Sequence, residues 1–580
     1  MDPGNWATDI AAGANFGYRL LWVLVVSNGL AILLQTLSAR LGIATGRDLA
    51  QACRETYPRS INITLWLLSE IAIVACDLAE VLGAAIALNL LFHIPLLAGV
   101  LLTALDTLLL LALQRLGIRT IESIVIALIV AIGGCMFIDV FWAKPEILPM
   151  VNGLIPRINS QTLYLAIAIL GATVMPHNLY LHSALVQTRR IGETLEERRR
   201  ACRFNFIDSA VALNGAMLVN GAILVLAAAV FFRAGKPVTE IQQAYQLLTP
   251  LLGATAASIL FGVALLCSGQ SSTITGTLAW QIVMEGFLNL RVRPWLRRII
   301  TRSLAVVPAA FVVWLAGGEG TYSLLLLSQV ILSAQLPFAI VPLIHFTNDP
   351  AKMGALANPG WVRKLSWLAA AFIIALNIWL LVQSLLELAG HGKVILSLSA
   401  IASAGLVGLL GWITFAPAWE SGKRARNPVG MQRASVDSLP VPEYRRILVT
   451  LDHTPLDRLA LAHASALARA HSAKLYLLHV EEGATSQVYG SLSSTAEVEA
   501  GREYLNTLVA SLGQMVGVES EIRHSPNPPH EIVAYARQIH PDLLVMGAHG
   551  HGGLQDLIFG NTIDPVRHQL RIPVLVVRET

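Results

Sequence analysis

Two short segments, Asp2-Pro3-Gly4-Asn5 and Met175-Pro176-His177-Asn178, place a proline beside polar or sulfur-bearing side chains in otherwise apolar sequence. Proline removes a backbone donor and clashes with the preceding turn, so nearby carbonyls lose their partners and become available to a cation. Asp2 and Asn5 add hard oxygen donors, and Met175 adds a thioether. An all-oxygen site suits Mg2+ or Ca2+, whereas sulfur favours later, more polarizable transition metals. The plainer alternatives are a polar cap on an ordinary helix for the first segment and apolar packing for Met175. The shared Pro-x-Asn order weighs against them, because two broken helices in corresponding halves mark an inverted-repeat transporter with its substrate site at mid-membrane.

Other polar groups fall inside apolar stretches. Asp77 and Glu80 are three residues apart and so share a helix face. Membrane-buried acids are costly and by default carry protons or line an ion path. His177 and His182, followed by Arg189, continue along the second segment, where histidine titrates near neutral pH and arginine can pair with an acid. The expectation is a proton path from Asp2 to Asp77. Gln329 is a further polar group at membrane depth, readable as a ligand in one conformation or as a hydrogen bond between helices.

The elements that must hold these groups are membrane helices. The 580 residues are 55% hydrophobic and 13% charged, with a mean hydropathy of +0.61. About eleven apolar stretches of spanning length occur between Leu20 and Phe415, and the shorter Asp2 to Phe16 segment looks like half a helix. Alternate connections carry roughly four times as many Lys and Arg as the others, including Arg40 to Arg59, Arg189 to Arg203 and Arg291 to Arg302, which places them inside. The net charge of +4 points to no nucleic-acid partner. The five cysteines include no Cys-x-x-Cys pair, so they suggest reduced structural residues, and no motif suggests an enzyme.

Beyond Phe415 a polar, basic stretch reads as a linker. Strand-like runs at Arg446 to Leu451, Leu475 to Val480, Asp542 to Met546 and Val574 to Val577 then alternate with amphipathic helical stretches, the pattern of a parallel α/β domain.

Over roughly Met1 to Phe415 the chain resembles the natural resistance-associated macrophage protein family of proton-coupled divalent metal transporters, through both Pro-x-Asn breaks and the acidic Asp77-Leu78-Ala79-Glu80. The resemblance implies an α-helical polytopic membrane protein with a LeuT-type inverted-repeat fold. Asp2, Asn5, Met175 and the Ala172 carbonyl would bind the metal, with Gln329 as a later contact. Asp77, Glu80, His182 and Arg189 would move protons, joined on the reading of the residues above by Asp2 and His177. Family members carry a half-helix and a cytoplasmic tail ahead of the first break, so the expectation is that this first half-helix is missing from a chain starting at Met1.

From Tyr444 to Arg578 the chain resembles the universal stress protein family, a doubly wound α/β domain some of whose members bind ATP. Gly547, Gly550 and Gly560 match the spacing of its phosphate loop, with Asn561 and Thr562 following where serine is commoner. Asp452 stands where the family contacts adenine or ribose, although His453 and Thr454 replace the usual Gly-Ser. Glycines after a strand let backbone N–H groups approach an anion, and a helix starting near Asn561 would point its positive end there; Gly-x-x-Gly alone is also ordinary turn chemistry.

The expected organisation is a transporter domain over 1–416, a cytoplasmic linker over 417–442 and the stress-protein-like domain over 443–580. The expected function is proton-coupled uptake of Mn2+ or Fe2+ across a bacterial inner membrane. No cofactor serves transport, ATP is a ligand of the C-terminal domain, and metal ions, protons and lipid are the partners. The alternative is a transport-incompetent, membrane-anchored nucleotide or stress sensor. A third reading, an organic substrate, is disfavoured because Asp2 would repel a carboxylate.

Overall fold

The computed structural model describes residues 2–105, 118–188, 191–192, 194–236, 238, 240–254, 256–288, 294–388, 393–415, 443–481, 496–513, 516–525, 527–547, 562–570 and 572–578. The chain forms two compact units, one of helices up to Phe415 and one built around Ala416–Thr580.

The helical unit contains α1 (Pro3–Phe16), α2 (Leu21–Thr45), α3 (Arg59–Phe92), α4 (Ile118–Ala143), α5 (Ser160–Val174), α6 (Pro176–Leu185), α7 (Leu195–Ala227), α8 (Ala257–Leu288), α9 (Pro294–Asn348), α10 (Gly360–Leu388) and α11 (Lys393–Phe415). Among the described residues, eight helical runs are long and apolar enough to cross a membrane, with Pro3–Thr45 counted as one. Two of the expected spans appear as shorter apolar helices, Arg302–Leu315 and Ser399–Phe415, and the stretch from Leu96 to Leu113 passes outside the described residues. The stretches expected as Ile299 to Ala316 and Leu324 to Phe346 are joined in one helical run, α9. Phe141, Trp314 and Leu368 are among many large apolar side chains left exposed on this unit, a surface suited to lipid rather than water.

Pro3 sits at the first position of α1, where its missing N–H costs nothing, and Asp2 is the N-cap. Between α5 and α6 only Met175 interrupts the helix, with φ 32° and ψ 106°. A positive φ is unusual for a side chain this large, and Pro176 enforces the interruption because it cannot donate back into α5.

The C-terminal unit is a five-stranded parallel sheet in the order β3-β2-β1-β4-β5, formed by β1 (Arg446–Leu451), β2 (Lys474–Glu481), β3 (Val518–His524), β4 (Leu543–Gly547) and β5 (Val574–Val577). Its helices are α12 (Leu456–His471), α13 (Ala496–Leu512), α14 (Pro528–Ile539) and α15 (Ile563–Gln569). Separate apolar cores, one around Ile447, Val449 and Ala464 and one around Leu448, Leu544 and Ile532, cover the two faces, as a doubly wound sheet requires. Strand β3 is absent from the sequence expectation. It is an edge strand of alternating polar character, Val-Glu-Ser-Glu-Ile-Arg-His, and gives no apolar run.

Candidate metal site in the helical unit

Asp2 and Asn5 are held by a reciprocal cap. The Asp2 N–H donates to Asn5 Oδ1 (3.1 Å), and the Gly4 N–H donates to Asp2 Oδ1 (3.3 Å). Both side chains are buried. The first segment is therefore a cap and a helix start together, which leaves Asp2 Oδ2 facing away from the cap.

At the second segment, Pro176 follows Ala172 by four residues, so the donor that a continuous helix would offer the Ala172 carbonyl does not exist. Met175 is buried, and its sulfur accepts from Asn178 Nδ2 at 3.4 Å.

Gln329 of α9 closes on both segments. A Cβ at Gly4 would overlap its side-chain amide, and a Cβ at Gly171 would overlap its backbone carbonyl. The glycines thus let one buried residue pack against both breaks at once. Gln329 Nε2 donates to Ser328 Oγ (2.9 Å), while Oε1 has no partner among the described residues.

Helix α3 brings the acids. A Cβ at Gly83 would overlap the Pro3 ring, so Gly83, two steps of three beyond Asp77, lets this face reach the first break. Glu80 is buried, and its Oε1 lies 3.0 Å from where a Cβ of Gly276 would be. Asp77 turns instead to Arg302, whose Nη1 donates at 2.8 Å while Nε and Nη2 hold the Thr103 carbonyl at 3.2 and 3.0 Å.

Two residues escape the sequence reading. Arg302 belongs by sequence to a basic connection, yet its side chain is buried, so it does not count among the exposed basic charges. A lone cation at the start of the apolar run Ile299 to Ala316 is the signal that marks it. Cys76, expected to be merely structural, places its sulfur 3.8 Å from Asp2 Oδ2, 3.9 Å from Glu80 Oε1 and 3.8 Å from His177 Nε2. Asp2, Glu80 and His177 are therefore gathered around one thiol. Asp77 makes no bond to that thiol but lies against Glu80, and so joins the cluster to Arg302. His182 stands apart too, with Nε2 3.2 Å from Asn205 Oδ1 and 3.4 Å from Ser209 Oγ. Arg189 lies outside the described residues. Among those described, no preformed group of three or more His, Cys, Asp or Glu side chains is arranged to hold a metal, so a metal here would rely on amide, carbonyl and thioether donors as well.

In the C-terminal unit, Asp452 follows β1 at the switch point between β1 and β4, exposed, with Oδ1 accepting from the Thr454 hydroxyl (2.6 Å) and N–H (3.3 Å). His453 adopts φ 61°, a conformation natural to the glycine usual there, and its ring stacks on His479 at 4.1 Å. Gly547 ends β4 close against Leu456. Thr562 precedes α15, which begins at Ile563 and makes no side-chain cap there. Gly550, Gly560 and Asn561 lie outside the described residues.

Comparison with known proteins agrees with this architecture. Residues 1–383 match the natural resistance-associated macrophage protein-like family, and residues 443–578 match the universal stress protein family. A divalent metal cation transporter MntH of Nostoc sp. is 56% identical over 390 residues, covering 66% of this chain and 88% of that protein. The MntH of Xanthomonas campestris is 57% identical over 386 residues, covering 66% and 87%. The crystal structure of the Eremococcus coleocola manganese transporter in complex with an aromatic bis-isothiourea substituted compound aligns with a TM-score of 0.65 at 39% identity, covering 72% of this chain and 92% of that one. The matched span holds both breaks, the acidic helix and Gln329, and the chain belongs to the natural resistance-associated macrophage protein-like family.

Proposed function

We propose that the chain imports a divalent transition metal, Mn2+ or Fe2+, into the cytoplasm together with protons. The observation that carries this reading is Gln329 packed against Gly4 and Gly171 together, which supports treating the two breaks as one site. The relatives' description as divalent metal cation transporters supports the cargo class.

In this reading Asp2 supplies the charge, the Ala172 carbonyl and Asn5 supply neutral oxygens, Met175 supplies the soft donor, and Gln329 adds its carboxamide in one conformation. Asn5 Oδ1 is engaged by the Asp2 N–H, so ligation by Asn5 requires that capping bond to open. A cation and a proton compete for the Asp2 carboxylate. A proton displaced from Asp2 has Glu80 and His177 within reach through the Cys76 thiol, and Asp77, paired with Arg302 of α9, follows on the helix of Glu80. His182 and Arg189 would extend this route inward.

The transporter domain would occupy 1–416, the linker 417–442 and the regulatory domain 443–580, the last on the cytoplasmic side of a bacterial inner membrane. The exposed Asp452 at the sheet's switch point, with Gly547 beside it, fits a nucleotide such as ATP. ATP would supply no chemistry to transport and act through binding. In inverted or right-side-out proteoliposomes, an inward acid gradient is expected to accelerate Mn2+ uptake, and ATP on the domain's side to change its rate. Uptake indifferent to the gradient contradicts proton coupling, and a rate indifferent to ATP contradicts regulation.

A further inference from the structure

The mechanism leaves two fully buried acids with unpartnered oxygens unused, Asp9 and Asp139, and Asp9 shares a helix with Asp2 and Asn5. Asp9 of α1 is 1% exposed, and neither carboxylate oxygen has a partner among the described residues. Burying an unpartnered carboxyl is expensive, and native proteins seldom leave one without a reason.

Its position follows from the helix. Asp2, Asn5 and Asp9 fall at i, i+3 and i+7, so Asp9 continues the stripe that carries the two acidic-break ligands, one turn beyond Asn5. Gly13 is one further turn on, and a Cβ there would overlap Leu224 O of α7. A Cβ at Gly17, just past α1, would come to 3.0 Å from the ring of Phe232, which ends the helical run Leu195–Phe232 that continues α7, so the two helices advance side by side in the same direction. One turn back along each helix from the Gly13–Leu224 approach stand Asp9 and Asn220. Asn220 is 4% exposed, and its Oδ1 likewise has no partner among the described residues. Three orphaned oxygens, two of them on a carboxyl, therefore lie at one level of two packed helices.

We infer that Asp9 and Asn220 form a second cation stop, one that takes a hard, partly hydrated divalent cation on its way to or from the site at the breaks. This rests on the transport reading for its purpose, but not for its detection. The donors are carboxylate and amide oxygens only, the set that Mn2+ accepts alongside Mg2+ and Ca2+, in contrast to the thioether at Met175. The stop thus admits hard divalent cations generally, and selection falls to the second site.

Mn2+ binding to the purified full-length chain, followed by the loss of the free-ion electron paramagnetic resonance signal without nucleotide, tests this directly. Asp2→Asn is expected to retain one bound Mn2+ per chain that Ca2+ displaces, and Asp2→Asn with Asp9→Asn to retain none. An Asp2→Asn chain that binds no Mn2+, or a double variant that binds as much as the single one, overturns the inference. In transport, Asp9→Asn is expected to raise KM for Mn2+ about tenfold with little change in kcat; a fall in kcat alone would make Asp9 structural and also overturn it. Asp9-dependent binding in a wild-type chain that moves no metal would sink the transport reading and leave this site standing.

Discussion

Buried acids in the two units are treated in opposite ways. Asp457 in the α/β unit is enclosed by fixed donors, with the N–H groups of Asp452 and His453 at 3.0 and 2.9 Å and the Tyr504 hydroxyl at 3.4 Å. Its lone pairs shape the loop after β1. In the helical unit, Asp2 keeps one backbone donor, the Gly4 N–H, and turns its other oxygen to a thiol that Glu80 also meets, while Asp9 has no partner among the described residues. An acid whose partners are backbone amides holds a conformation, whereas an acid facing side chains and empty acceptors can exchange a proton or a cation.

The most disruptive way to break the contrast is to separate the two breaks. Gly171→Val would drive a branched side chain into the Gln329 backbone, and Mn2+ uptake is expected to fall by about 100-fold or more while the chain still inserts. Arg302→Ala takes the ion-pair partner from the partly buried Asp77, at a cost of about 1–3 kcal/mol, read as a lower melting temperature in detergent; adding Asp77→Asn is expected to recover much of it. Glu80→Gln keeps the shape but removes an exchangeable charge, and metal-linked proton flux is expected to drop about tenfold more than metal uptake, measured with a pH dye in the same vesicles.

Asp457 sharpens the other side. Burial pushes its carboxyl from 3.8 up to about 7. The folded domain then holds a proton that the unfolded chain has released, so this contribution to stability is full below about pH 4 and is lost as pH rises through 7. Hydrogen-exchange protection of β1 and α12 is expected to decline over that window, and Asp457→Asn to flatten the decline. The smallest effect is at His453: glycine would relieve the left-handed backbone but forfeit the stack on His479, for a net change within about 1 kcal/mol.

The interruption at Met175 was legible because proline in an apolar run has few innocent explanations, and the helical and α/β units because their apolar periodicities differ. Cys76 was not, since its importance comes from contacts with Asp2 and His177 that no local pattern encodes, and a lone cation entering an apolar run marks Arg302 without naming its partner. The division of labour between Asp77 and Glu80 was hidden for the same reason: three-residue spacing puts both on one face but does not say that an arginine 225 residues away takes one of them. Strand β3 was lost because an edge strand needs no apolar run.

The central claim is that Asp2 and Met175, from separate breaks, serve one cation. Mn2+ uptake into proteoliposomes by wild type, Asp2→Ala and Met175→Ala tests it most directly, with Ca2+ as competitor. The account predicts no uptake for Asp2→Ala, and for Met175→Ala continued Mn2+ uptake that Ca2+ now inhibits. Transport by Asp2→Ala, or a Met175→Ala protein that discriminates against Ca2+ as well as wild type, would contradict it.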